Sequence, residues 1–175
     1  MAAIRQPRRE KFINDLTAKY IRSILHYDPI SGFFTWKKAR GKKRVGDRAG
    51  CTKTRWGYVY IGIDNNSYLA HRIAWLYVKG KWPARRVDHE DRNPSHNWWT
   101  NLRQATHAQN MANSKIKKNN TSGYRGVHKR NNGWRAAISA NNRHYHLGDF
   151  NTAQEAAAAY NAASLELRGK FARLD

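Results

Sequence analysis

Residues 87–113 read VDHEDRNPSHNWWTNLRQATHAQNMAN, a stretch rich in histidine, asparagine and acidic residues and poor in aliphatic ones. The segments RRVDHE and NLRQA fit two short strands, and the intervening DRNPSHNWWT contains proline and turn-forming residues. Thr106 and Gln109 form a capping box, so we expect a helix from about His107 to Asn113. The stretch is predicted to fold as strand, loop, strand and helix.

The polar side chains of this stretch suit the hydrolysis of a phosphodiester. That reaction needs a base for water, positive charge beside the phosphate and rigid positioning. His89 can be a neutral base near physiological pH, while Asp88 and Asn110 offer hard oxygen ligands for a magnesium-like ion. Because adjacent strand residues point to opposite faces, Asp88 and His89 are expected on two sides of one phosphate.

Two other interpretations of the stretch are open. His89, His96 and His107 could form a zinc site, although no thiolate accompanies them, and the whole stretch could be a polar loop. Cys51 is the single cysteine, which excludes an internal disulfide and any zinc site with two or more thiolates. His71 lies in the apolar helical context AHRIAWLYV and is expected to be a packing residue.

The composition of the whole chain points to a polyanionic partner. In 175 residues, 33 Lys and Arg stand against 12 Asp and Glu, which gives a formal charge of +21. With 40% hydrophobic residues, one medium or two small domains are expected. The sequence has no apolar run of membrane-spanning length and its start MAAIRQPRREKF is unlike a signal peptide, so an intracellular protein is predicted.

The N-terminal half is predicted to contain a helix, a basic hairpin and a second helix. Apolar spacing predicts the first helix over Lys11 to His26, and seven Lys or Arg between Lys37 and Arg48 suggest the hairpin. Alternating residues in GYVYIGIDNNSYLAHRIAW predict strands joined by a turn at residues 65–66, followed by a helix near residues 71–78.

The C-terminal part is predicted to be a separate unit after a basic linker over residues 114–121. GYRGVHKR, WRAAISA and RHYHLGDF, separated by asparagine-rich turns, predict a three-stranded meander. A capping box at Thr152 and Glu155 and a stop at Gly169 predict one helix packed on that sheet. The fold class expected for the whole chain is α+β.

The spacing of Asp88-His89, then Asn101 twelve residues after the histidine and Asn110 nine later, with NLR and QN beside them, resembles the HNH homing endonucleases of phages and introns. LHYDPISGFFTWK and LAHRIAWLYVKGKWP extend the resemblance upstream. It implies a ββα-metal (His-Me finger) module over residues 1–113, with His89 as general base, Asn101 as a hydrogen-bonding residue of the catalytic site, and Asp88 and Asn110 as ligands of one divalent ion, Mg²⁺ above all.

YRGV, WRAAI, HLGDF and TAQEAAAAYNAASLELRGKFA resemble the APETALA-type DNA-binding domain of plant ethylene-response factors. That family lays its sheet in the major groove, which implies a DNA-binding domain over residues 122–175. His128, His144 and His146 depart from the plant pattern, so the plant sequence preference is not carried over. The positions expected to contact DNA are Arg125, Arg130 and Trp134 by resemblance, and Arg135, Arg143 and Tyr145 by charge and strand placement.

Together these patterns predict a sequence-selective, homing-type endonuclease that cuts double-stranded DNA, and the resemblance to HNH endonucleases implies 5′-phosphate and 3′-hydroxyl ends. A phage-encoded protein in a bacterial cytoplasm is expected, with its oligomeric state open. One alternative is a non-catalytic DNA-binding transcriptional regulator, and another is a basic RNA-binding protein, which the charge alone also permits.

Overall fold

The computed structural model of the protein describes residues 16–52, 56–114, 116 and 119–174. Contacts divide the chain into two compact units, Met1–Gln104 and Ala105–Asp175, which are described separately below. The predicted boundaries at residues 113 and 122, with a linker between them, remain a prediction, and linker residues 115, 117 and 118 lie outside the described part.

The first unit begins with a short helix and a small sheet. Helix α1 spans Ala18–Ile24 and starts at Thr17, whose hydroxyl accepts from the Tyr20 nitrogen. Strands β1 (Leu25–Tyr27), β2 (Phe34–Trp36) and β3 (Arg48–Ala49) then form an antiparallel sheet in that order. The basic segment of residues 37–47 connects β2 to β3. The predicted hairpin is therefore present, with a long loop between two short strands.

The predicted first helix is wrong at its C-terminal end. Leu25 and His26 belong to β1, where they pair with Trp36 and Thr35, and the helical prediction for residues 11–15 lies outside the described part. The buried, exposed, buried pattern of Leu25 to Tyr27 fits a strand with one face on the core. Ile21 of α1 and Leu25 of β1 pack into the same core, so their helical spacing in the sequence does not indicate one continuous helix.

A second sheet leads into the second helix. Strands β4 (Cys51–Thr52), β5 (Val59–Ile63) and β6 (Asn66–Leu69) are antiparallel neighbours. The β5–β6 turn has positive φ at Asp64 and Asn65, one residue earlier than predicted. Helix α2 covers Ala70–Lys79 and ends at Gly80 in the left-handed conformation, which confirms the helix predicted near residues 71–78.

The stretch that opened the sequence analysis follows the predicted order. Strand β7 (Arg86–His89) pairs with β8 (Leu102–Ala105), and a 3-10 turn at Trp99–Asn101 precedes β8. Helix α3 then spans His107–Asn113 behind the predicted capping box of Thr106 and Gln109, in which both reciprocal hydrogen bonds form. The strand, loop, strand, helix prediction is confirmed.

The hydrophobic core of the first unit gathers side chains from α1, α2 and all three of its sheets. Fully buried members include Ile21, Leu25, Phe34, Ile61 and Ile73. Val87 of β7 and Leu102 of β8 belong to the same cluster, which anchors both strands that carry the polar stretch. The polar side chains of that stretch are thus attached to a packed core rather than to a free loop.

The second unit contains the predicted meander and helix. Strands β9 (Val127–Arg130), β10 (Gly133–Ala140) and β11 (Arg143–Phe150) form an antiparallel sheet with β10 in the centre. Helix α4 (Ala153–Arg168) starts at the predicted capping box and packs on β10. Its small core consists of Val127, Ala136, Ala156 and Ala157 with partly buried neighbours.

Helices and small antiparallel sheets account for the regular structure, in agreement with the α+β class. Among the described helices none combines the length and the apolar character needed to cross a membrane.

Candidate active site

His89 is buried at the end of β7 and is oriented by Asn97. Its Nε2 lies 3.1 Å from Asn97 Oδ1, and the Asn97 amide nitrogen donates to the Ser95 carbonyl at 3.1 Å. That donation turns the amide oxygen toward the imidazole, so Nε2 carries the hydrogen and donates it. A neutral His89 then has its lone pair on Nδ1, the nitrogen at which a proton can be accepted.

Residues of the hydrophobic core fix the position of Asn97. The buried Tyr27 on β1 donates its hydroxyl hydrogen to the Asn97 carbonyl at 2.7 Å. A second connection is the Trp99 nitrogen, which donates to the Pro29 carbonyl at 2.8 Å. The orientation of His89 therefore depends on the segment around residues 27–32, far from it in the sequence.

The environment of His89 favours the neutral imidazole. Burial lowers the pKa of His89, although the hydrogen bond to Asn97 and the carboxylates of Asp91 and Asp88 act in the opposite direction. His71 on α2 packs edge to face against it, with ring centroids 4.9 Å apart. Burial, followed by the proximity of His89, lowers the pKa of His71 to about 3, so this second ring is neutral as well.

His71 is the packing residue that the sequence predicted, with one unexpected property. It is 5% exposed, and within the described residues its Nδ1 has no hydrogen-bond partner. Tyr58 contacts both imidazoles, with ring centroids 5.6 Å from His71 and 6.2 Å from His89. The general-base candidate thus lies in a largely apolar aromatic environment.

Asp88 forms a buried ion pair on the same two-stranded sheet. Nε of Arg103 on β8 lies 3.1 Å from Asp88 Oδ2, and both side chains are buried. The same guanidinium reaches Glu90 Oε1 at 3.2 Å. Asp88 and His89 have different partners on the two sides of β7, as the alternation of strand side chains predicts.

Asn101 closes the loop between β7 and β8. Its side-chain nitrogen donates to Asp91 Oδ1 at 2.9 Å and to the His96 carbonyl at 2.8 Å, while its oxygen accepts from the Asp91 nitrogen at 2.9 Å. His96 bonds to Asp91 Oδ2 and Asn93. Although burial opposes it, hydrogen bonds from Asn93, His96 and Asn101 lower the pKa of Asp91 and keep this carboxylate charged.

Asn110 lies on α3 in the second compact unit. It is half-buried, and its side-chain amide makes no hydrogen bond with the part of the chain that the structure describes. Its oxygen is therefore available in this unit as a ligand. His107, the third histidine of the stretch, is exposed at the start of the same helix.

Comparison with known families matches residues 68–112 to the family described as HNH endonuclease. The chain contains an HNH endonuclease domain. The matched region runs from β6 through α3 and includes His71, His89, Asn97, Asn101 and Asn110. The predicted HNH module is thereby confirmed as a domain of this family.

The chain is also similar in sequence to three known proteins. An uncharacterized HNH endonuclease of Acanthamoeba polyphaga mimivirus is 34% identical over 115 residues, 64% of the chain and 59% of that protein. Protein 3.8 of Escherichia phage T7 is 32% identical over 106 residues, 59% of the chain and 87% of that protein. An AP2/ERF and B3 domain-containing transcription factor of Arabidopsis thaliana is 50% identical over 50 residues, 28% of the chain and 14% of that protein.

The donors of the HNH endonuclease domain suit a hard divalent cation. Asp88 offers a carboxylate and Asn110 an amide oxygen, which are ligands of the magnesium type rather than the zinc type. In residues 16–52, 56–114, 116 and 119–174, no three His, Cys, Asp or Glu side chains are grouped as metal ligands.

The six predicted DNA-contacting residues do not share one surface of the second unit. Arg130 and Arg135 line a groove of about 660 Å³ together with His128, His144 and His146. Arg135 also pairs with Asp149 through two hydrogen bonds of 2.8 and 3.0 Å. This groove is the strongly cationic face of the sheet.

The other predicted contacts on the sheet have different surroundings. Trp134 is partly buried against the small core, and it also lines a groove with Arg130 and Arg135. Tyr145 pairs with the buried Ile138 and therefore shares its face, and Arg143 pairs with Ala140 at the end of the strands.

The guanidinium of Arg125 donates to the carbonyls of Ala112 and Ser114, so it is engaged within the protein. Sequence reasoning also missed three residues of the candidate site, Asn97, Tyr27 and Arg103, and it named the three groove histidines only as departures from the plant pattern.

Proposed function

We propose that the protein is a DNA endonuclease in which His89 is the general base. The observation that carries this proposal is the geometry of His89: a buried, neutral imidazole whose Nε2 donates to Asn97 and whose lone pair is on Nδ1. A base of this kind can take a proton from water near neutral pH. The match of residues 68–112 to the HNH endonuclease family supports DNA as the substrate.

The proposed reaction is hydrolysis of one phosphodiester bond. The oxygen of a water molecule attacks phosphorus while His89 Nδ1 accepts its proton, and the bond from phosphorus to O3′ breaks. The leaving O3′ takes a proton from solvent, which gives 3′-hydroxyl and 5′-phosphate ends. Asn97 keeps the imidazole at one angle, and Asn101 keeps the loop that bears Asn97 in place.

Asp88 and Asn110 are the proposed ligands of a single divalent ion, with Mg²⁺ as the expected one. Such an ion supplies, when bound, positive charge beside the phosphate and the leaving oxygen. The ion pair with Arg103 fixes the Asp88 carboxylate on β7. These assignments follow the residue types and spacing of the family, and Asn101 is proposed as a structural member of the site.

The experiment is a plasmid nicking assay with Mg²⁺, with and without chelator. We expect the wild-type protein to cut, and His89→Ala to lose cutting by at least about a hundred-fold while it retains DNA binding. His26→Ala is a matched control because His26 is exposed on β1. Equal cutting by His89→Ala would overturn the assignment of the base.

The second unit is proposed to hold double-stranded DNA through its cationic groove. Lys129, Arg130 and Arg135 line this face of the sheet, and their positive charge attracts phosphates. The similarity of 50 residues of the chain to an AP2/ERF and B3 domain-containing transcription factor supports a DNA-binding role. We propose homing-type, sequence-selective cutting as the combined activity of both units.

The two rival functions make different predictions in the same assays. A transcriptional regulator would shift duplex DNA on a gel and leave it uncut with Mg²⁺ present. An RNA-binding protein would prefer structured RNA over duplex DNA at equal salt concentration. Arg130→Ala is expected to weaken duplex binding and, if Arg130 contacts phosphate, to make the negative slope of log affinity against log salt shallower by about 1.

A further inference from the structure

Helix α3 ends against two arginine side chains of the second unit. Arg173 donates to the Ser114 carbonyl at 2.7 Å, and Arg125 donates to the carbonyls of Ser114 and, at 3.4 Å, Ala112. Carbonyls at the end of a helix lack partners within the helix and carry partial negative charge. Two guanidinium groups at this end therefore satisfy these carbonyls and oppose their charge.

The two arginines come from opposite ends of the second unit. Arg125 precedes β9, and Arg173 follows the 3-10 turn Gly169–Phe171, which packs against α3. Both side chains are half-buried where they meet the carbonyls. We use the name arginine clamp for Arg125, Arg173 and the two carbonyls they contact.

A clamp of this kind matters because α3 is short. Seven residues form too few hydrogen bonds for a helix to be stable alone in water. The capping box of Thr106 and Gln109 fixes its first turn, and the arginine clamp fixes its last turn. Asn110 lies between the two, so the position of its side chain depends on both ends.

We infer that Arg125 and Arg173 are positioning residues for Asn110, because they fix the end of the short helix that carries this side chain. This inference rests on the proposed function, in which Asn110 is a metal ligand. It gives Arg125 a different role from the DNA contact that the sequence predicted. The guanidinium groups face backbone carbonyls of their own chain, where phosphate contacts would need them to face outward.

The first test is amide hydrogen exchange of the metal-free, full-length protein. Arg125→Ala and Arg173→Ala should each raise exchange in residues 108–113 by about ten-fold, since loss of the clamp permits local opening of α3. Arg85→Ala is the matched control, because Arg85 is exposed and outside α3 and the clamp. Unchanged exchange in both clamp variants would overturn the inference.

The second test is the metal requirement. In the clamp variants, the affinity for Mn²⁺, measured by electron paramagnetic resonance, should fall about ten-fold. The Mg²⁺ concentration needed for half-maximal cutting should rise about ten-fold. Duplex affinity should change less than about two-fold, and Arg125→Lys should restore part of the metal affinity. Lower duplex affinity with an unchanged metal requirement would identify Arg125 as a DNA contact and overturn the inference.

A double-variant comparison separates this inference from the proposed function. If the clamp acts through Asn110, adding Arg125→Ala to Asn110→Ala should weaken Mn²⁺ binding no further, whereas independent effects would add. Additive effects would overturn the inference. A wild-type protein that neither binds Mn²⁺ nor cuts DNA would overturn the proposed function, while wild-type binding unaffected by the clamp variants overturns the inference alone.

Discussion

Gly32 lies directly against the backbone of Trp98: a Cβ atom built on this glycine would be 2.2 Å from the Trp98 nitrogen and 2.3 Å from the Asn97 carbonyl carbon. Gly32 also has a φ of +75°, in the left-handed region. The turn of residues 28–32 therefore supports the loop that holds Asn97 and, through it, His89.

Gly32→Ala should be among the most damaging small substitutions in the first unit. We expect a loss of about 3 kcal/mol or more in the free energy of unfolding, from strain at positive φ and displacement of the loop. Gly80→Ala is the control, since Gly80 has a φ of +74° and open space around its Cβ position. Urea unfolding measures both; equal losses would show that the contact with Trp98 contributes nothing.

Asn97 should control catalysis through the orientation of His89. Asn97→Ala removes the acceptor of the Nε2 hydrogen and should lower kcat by about ten- to a hundred-fold, with a small change in KM. Single-turnover cutting of a defined duplex measures the rate. An unchanged kcat would contradict the assigned tautomer and its lone pair on Nδ1.

Asn97→Asp provides a second readout of the same contact. A carboxylate next to the imidazole favours its charged form, so the acid limb of the pH profile should move to higher pH. The profile of a merely destabilised variant would keep its shape.

Arg103→Met should expose the role of the buried ion pair with Asp88. Removing the guanidinium takes away the cation that faces a buried carboxylate, so we expect a loss of about 3 kcal/mol in stability. Added Mg²⁺ should recover more stability in Arg103→Met than in the wild type, because a bound cation replaces the missing charge. Thermal unfolding with and without Mg²⁺ measures this difference, and an equal metal effect in both proteins would argue against Asp88 as a ligand.

His71 should make the first unit sensitive to acid. Its pKa is about 3 in the folded protein and about 6.5 in an unfolded chain, so the unfolded chain binds an extra proton between these values. The contribution of neutral His71 to the free energy of unfolding is therefore complete above about pH 6.5. It falls by about 1.4 kcal/mol per pH unit as the pH is lowered toward 3.

His71→Phe removes this titrating group and should flatten the dependence of unfolding free energy on pH by about one proton. Urea unfolding followed by tryptophan fluorescence, between about pH 7 and about pH 4.5, measures the slope. A wild-type slope in His71→Phe would mean that other groups cause the acid sensitivity.

Local signals in the sequence predicted much of the fold. The capping boxes at Thr106 and Thr152 and the asparagines at the β10–β11 turn determine structure through contacts within a few residues, and each formed as expected. Leu25 shows the limit of this reasoning. Its apolar side chain fitted a helical spacing, but pairing with Trp36, eleven residues away, decided its conformation.

The site was predictable where residue type and spacing carry the chemistry. Asp88, His89 and the two asparagines at family spacing could be named, whereas Asn97 could not be separated from its neighbouring asparagines. Its role depends on Tyr27, 70 residues earlier in the chain, and on the Ser95 carbonyl, and neither contact leaves a local sequence signal. Arg125 illustrates the same limit: the family resemblance predicts a DNA contact there, whereas its hydrogen bonds to the carbonyls of Ala112 and Ser114 leave no local sequence signal.

The arginine clamp also sets where this protein can be recombined with others. A crossover after Asn113, at the end of α3, would keep this helix yet replace Arg125 and Arg173 with unrelated side chains. A crossover before Ala105 would transfer α3 together with both arginines, but Asn110 and His89 would then come from different parent proteins. Chimeric nucleases built from this scaffold should therefore retain both arginines whenever the C-terminal sheet is exchanged for another DNA-binding domain.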